Sequence, residues 1–103
     1  MKKVRIIRNI DVKNIYIGPP KGHRHLRLLI DLGGEAIVFQ EATIAAIVRG
    51  YINIKTHPIK KAVKMKMHIL EDRKREYSRY QQLEEEIDDE SVIKEITRYI
   101  EDT

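Results

Sequence analysis

The hydrophobic period of this chain changes once, near Gln40, and that change constrains the fold more than any other feature. Before it, apolar residues recur at every second position. Leu26, Leu28, Ile30 and Leu32 fall on one side of a strand, with Arg27, Leu29 and Asp31 on the other. Val4 and Ile6 alternate with Lys3, Arg5 and Ile7, and Ile15 and Ile17 flank Tyr16. A period of two marks strands with one buried face. Gly18-Pro19-Pro20-Lys21-Gly22 must be a loop, because two prolines cannot donate to a ladder. Gly33-Gly34 reads as a tight hairpin turn, since glycine reaches positive φ without steric cost. A shorter break falls at Asn9 to Asp11. Four antiparallel strands in a meander follow, at about residues 3–9, 12–17, 24–32 and 35–40.

From Glu41 the spacing becomes helical. Ile44, Ile47, Val48, Tyr51 and Ile52 recur at i, i+3, i+4, i+7 and i+8, one stripe of an amphipathic helix. Gly50 weakens that helix by up to about 1 kcal/mol relative to alanine, and marks either an early end or a close approach to the sheet. Pro58 pushes His57 towards extended geometry and suits the first turn of a new helix. Residues 62–70 read two ways. Val63, Met65, Met67 and Ile69 alternate as in a strand, yet alanine, lysine and methionine favour helix. A long helix running from Pro58 past Tyr80 to Ile87, broken near Glu71-Asp72, is the expectation. Asp89 or Ser91 then caps a last helix carrying Val92, Ile93, Ile96, Tyr99 and Ile100, and its acidic first turn suits the helix dipole. That apolar stripe has to pack on its own body or on a partner. The expected class is therefore α+β, with an N-terminal four-stranded antiparallel meander followed by two or three helices, the middle one long. Residues 1–40 form the meander, 41–88 the helical half and 89–103 the acidic C-terminal helix.

A length of 103 residues has room for one domain. Without cysteine there is no disulfide, thiolate or Cys-based zinc chemistry. The basic start lacks the apolar run of a signal peptide, and no stretch approaches the roughly 20 apolar residues of a membrane helix. A soluble, cytoplasmic protein with no membrane contact is expected. Charged residues make up 35% of the chain, which leans towards a thermophile's use of charge networks.

The charge is segregated. Residues 83–103 carry nine acids against Lys94 and Arg98, a net −7, and residues 1–82 carry +11. A basic body with an acidic end suggests contact with polyanions, although a heavily charged, soluble surface explains the same numbers. Two basic segments stand out. Lys21, Arg24 and Arg27 lie in and after the Pro-Gly loop with His23 and His25, and Tyr16 precedes them as a stacking partner for a base. Beyond Pro58, Lys60, Lys61 and Lys64 form a ridge if that segment is helical. Each has a plainer reading as a solvated loop or helix face.

His23 and His25 form an H-x-H pair that on a strand puts both imidazoles on one face, but no third ligand is spaced to complete a metal site. No P-loop, dinucleotide-binding glycine pattern, nucleophile elbow or H-E-x-x-H is present. No enzymatic activity, cofactor, metal or small-molecule substrate is expected. Two functions fit. The first is a small basic protein that contacts the phosphate backbone of DNA or RNA without strong sequence readout, through Lys21, Arg24, Arg27, Lys60, Lys61, Lys64 and Tyr16. The alternative is a protein-interaction module, a homodimerising subunit that adds to a thin aliphatic core by association.

Overall fold

A computed structural model describes residues 2–74 and 79–100. It is α+β, as its two periods require, but its elements differ from the expected ones. Three strands, β1 (Asn14–Gly18), β2 (Arg27–Asp31) and β3 (Ala36–Gln40), form an antiparallel sheet in the order β1-β2-β3. Helix α1 (Glu41–Thr56) follows without a break. Two further strands, β4 (Met65–Ile69) and β5 (Tyr80–Glu84), make a separate antiparallel pair, and helix α2 (Asp89–Ile100) closes the chain. Among the described residues no helix is long and apolar enough to cross a membrane.

The expected first strand at residues 3–9 is absent. A strand needs a ladder partner, and here local bonds take its place. The Arg8 N–H donates to the Asp11 carboxylate at 2.9 Å, and a 3-10 turn occupies Asn9–Asp11. Side chains of this type compete with a ladder for the backbone donors. The sheet therefore has three strands, and β1 stands at its edge.

Its two hairpins follow the glycines. Gly33 has φ +95°, the positive value a type II′ turn requires at its first central position. Asp31 fixes the turn, accepting the Gly33 N–H at 2.8 Å and the Asn14 side-chain amide at 2.9 Å. These donors hold its carboxyl below the usual range, the Asn14 bond contributing most. The loop between β1 and β2 is longer than expected. Gly18 pairs with Arg27, His23 N–H bonds Pro20 O at 2.9 Å, and Gly22 has φ +83°. β2 thus starts at Arg27, and both histidines lie in the loop, not on a strand face.

The long middle helix is also absent. α1 runs through Gly50 to Thr56 and stops at His57, whose backbone is extended before Pro58. His57 Nδ1 then accepts the N–H groups of Ile59 and Lys60 at 3.2 and 3.0 Å. The chain continues extended into β4, which pairs with β5 from Met65↔Glu84 to Ile69↔Tyr80. Alternation prevailed over propensity because a partner strand was available, the usual way in which context overrides strand preference. The part of the expected helix at residues 75–78 lies outside the described residues. α2 appears where the sequence placed it. Its cap is Asp88 rather than the expected Asp89 or Ser91, and it accepts the Ser91 hydroxyl at 2.6 Å and the Ser91 N–H at 3.2 Å.

The β4–β5 pair packs on α1. Gly50 makes this close approach: a Cβ there would meet Val63 Cγ1 at 3.2 Å and Met65 Cε at 3.3 Å. The Thr43 hydroxyl and an Arg49 guanidinium N–H donate to Gln82 across the same seam, both at 3.3 Å. Ala46, Gly50, Ala62 and Val92 are the only buried residues among those described.

Candidate functional site

Helix α1 is turned the opposite way from an ordinary amphipathic helix. At about 3.6 residues per turn, Ala46, Gly50 and Asn53 lie opposite the aliphatic stripe of Ile44 to Ile52. The small side faces β4 and β5, with Ala46 only 4% exposed. On the other side Ile47, Val48, Tyr51 and Ile52 stand in solvent, Tyr51 at 64%. The small residues let the hairpin approach closely, and that approach leaves the large ones only about half covered, Val48 and Ile52 bordering a cleft with Met65 and Leu83 and Lys55 lying over the Tyr51 ring.

The three-stranded sheet is equally open. Ile15 and Ile17 of β1 share a face with Leu28, Ile30, Ile37 and Phe39, and Tyr16 shares the other with Arg27, Leu29 and Val38. Ile15, Tyr16 and Ile17 are 60%, 58% and 65% exposed, and Val38 is exposed on β3. The accessible surface of the chain is 8915 Å². A compact monomer of 12.2 kDa leaves about 6,100 Å², so the excess is about 2,800 Å². The radius of gyration, 15.7 Å, likewise exceeds the roughly 13 Å of a compact domain this long.

The basic residues of the two segments sit in different structural settings. Lys21 and Arg24 are exposed in the loop between β1 and β2, without an ion pair among the described residues. Arg27 opens β2, and its guanidinium donates to the carbonyls of Leu26 at 3.1 Å and His25 at 3.4 Å. Tyr16 and Arg27 lie on the same sheet face, two residues apart in register. Lys60, Lys61 and Lys64 belong to the extended link before β4, not to a helical ridge. Lys60 is paired with Glu84, and Lys64 lies 3.7 Å from Glu85 and 3.6 Å from Glu95. The Lys61 N–H donates to the Asp89 carboxylate at 2.7 Å. The acidic end therefore lies against the second basic segment and pairs with the ammonium groups of Lys60 and Lys64, while the Lys61 contact is made by its backbone.

A cleft of about 720 Å³ opens between that loop, the start of α1 and β5, lined in part by His23, His25, Arg27, Glu41 and Tyr80. Inside it His25 Nδ1 lies 2.8 Å from Glu41 Oε2. This pair joins the basic loop to the first residue of α1, and no sequence pattern announced it. Among the described residues no group of three potential ligands is placed to hold a metal ion. At the far end Arg98 donates to the Tyr99 hydroxyl at 2.8 Å and holds that phenol below its usual range. Lys2 lies over the same ring, 5.5 Å from its centre, so the N-terminal segment meets α2. No family model, curated protein or solved structure matches this chain.

Proposed function

We propose that this chain is a non-enzymatic interaction module whose activity is self-association, a subunit completed by further copies of itself. The orientation of α1 carries the reading: the helix buries alanine and glycine and leaves about half of the surface of Ile47, Val48, Tyr51 and Ile52 exposed. Aliphatic surface left exposed costs about 25 cal/mol per Å², and contiguous patches of this kind mark association sites. The surface excess of about 2,800 Å² is larger than the roughly 800 Å² per partner of a standard interface, and obligate homodimers bury more than that. Net charges of −7 and +11 on the two parts of the chain allow opposite charges to pair between copies.

The test is Val48→Glu with Tyr51→Glu. Both positions face water within one subunit and glutamate favours helix, so the circular dichroism should not change. The solution mass should fall below that of the native chain. A mass that does not respond to these charges refutes the role of α1.

A second reading is favoured by the loop alone. Lys21 and Arg24 are exposed and have no ion pair among the described residues, and Tyr16 and Arg27 share one sheet face next to them in sequence. These residues would contact phosphates without reading sequence. With Lys60 and Lys64 already paired, two or three contacts give a log–log salt slope of about −2 to −3 on duplex DNA. A salt titration against duplex, single-stranded DNA and structured RNA measures it, and no binding at low salt rejects this reading.

A further inference from the structure

We infer that β1 is the strand through which two copies of the chain join, antiparallel about a two-fold axis at Tyr16, so that two three-stranded sheets become one of six. This rests on the self-association reading and names the surface it uses. β1 is the open edge of the sheet. The other edge strand, β3, runs directly into α1, which packs against β2 and β3. An edge strand turns a row of unpaired N–H and C=O groups outward, and proteins that stay single protect such edges with charge, proline or a bulge. Asn14-Ile15-Tyr16-Ile17-Gly18 contains no charged residue and no proline. Its three central side chains are all more than half exposed.

The sequence also selects the register. Antiparallel pairing centred on Tyr16 places Ile15 opposite the partner's Ile17, Ile17 opposite the partner's Ile15, and Asn14 opposite the partner's Gly18. Both isoleucine pairs then lie on the face of Leu28, Ile30, Ile37 and Phe39, extending one aliphatic surface across both subunits. The two tyrosines meet on the opposite face. Shifting the centre to Ile17 would bring Pro19 into the ladder, where it has no N–H to give. A two-fold axis makes this contact self-complementary and closed at two chains, leaving the α1 stripe to a separate contact between copies.

The chain has no cysteine, so single substitutions report without background. Residues directly opposite in an antiparallel pair have Cα atoms about 4.5–5.5 Å apart, within disulfide range. Under mild oxidation, Tyr16→Cys should convert mostly to covalent dimer. Ile15→Cys and Ile17→Cys should each link slowly alone and several-fold faster when mixed, because residues 15 and 17 face one another across the axis. Uniform linking at all three positions, or none at Tyr16→Cys while light scattering still gives a multiple of the chain mass, overturns the β1 contact and leaves self-association standing. A native chain that remains a monomer overturns both.

Discussion

Gly50 gives the most direct reading of which way α1 faces. A Cβ at this position would lie 3.2 Å from Val63 Cγ1 and 3.3 Å from Met65 Cε. Both are closer than side-chain carbons normally approach, though the methionine methyl is the end of a flexible chain and can yield. Gly50→Ala gains about 1 kcal/mol of helix propensity and loses a similar amount to this crowding, so its stability should match the native chain within about 0.5 kcal/mol. Gly50→Val adds two methyl groups in the same direction. Overpacking of that kind costs about 1–3 kcal/mol, and the propensity gain of valine over glycine offsets only a few tenths. The net loss of about 1–2.5 kcal/mol lowers the melting temperature by roughly 4–8 °C per kcal/mol in a chain this short. Urea and thermal unfolding followed by circular dichroism, at one fixed protein concentration because association contributes to stability, would measure both variants. If Gly50 faced solvent and the aliphatic stripe faced inward, both substitutions would stabilise. That result would refute the orientation of the helix and the proposal built on it.

Three more predictions follow from named bonds. Gly33→Ala should cost about 1–2 kcal/mol, because φ +95° strains any side chain with a Cβ; an unchanged urea midpoint would contradict this turn. Asp31, Asp11 and Asp88 each titrate below the usual carboxylate range in the folded chain, held there chiefly by Asn14, the Arg8 N–H and the Ser91 hydroxyl respectively. The folded chain binds these protons more weakly than the unfolded chain does, so the stabilisation is complete above the ordinary carboxylate range and is lost as pH falls through the lowered values. Asp31→Asn should flatten the acid limb of the stability profile, and a profile identical to the native one would count against the bond network. Replacing Glu84, Glu85 and Glu95 with glutamine should free Lys60 and Lys64 and steepen the salt slope of any nucleic-acid binding by about 2; an unchanged slope removes those lysines from that surface.

Much of the local structure was legible because it depends on neighbours in sequence. The Gly33-Gly34 turn, the start of α1 after Gln40 and the capped acidic helix α2 all rest on bonds spanning a few residues. What failed depended on distant partners. The alternation of Val4 and Ile6 is real, but among the described residues no strand pairs with it, and the Arg8–Asp11 bond takes the backbone first. Met65, Met67 and Ile69 alternate just as clearly, and they do form a strand because residues 80–84 pair with them. The candidate surfaces divide in the same way. The exposure of Lys21 and Arg24 follows from the two prolines and glycines around them. The neutralisation of Lys60 and Lys64 comes from acids 21 to 31 residues away. A stripe on α1 was readable, but which side it faces is decided by the hairpin that packs against Gly50.

The mass of the native chain in solution, followed by light scattering across a dilution series, bears most directly on what these open faces are for. Self-association requires a particle of at least twice 12.2 kDa that dissociates only on dilution. A compact particle of 12.2 kDa at every concentration would mean that Ile15, Tyr16, Ile17 and the α1 stripe remain in water, and no assembly of this chain would then account for them.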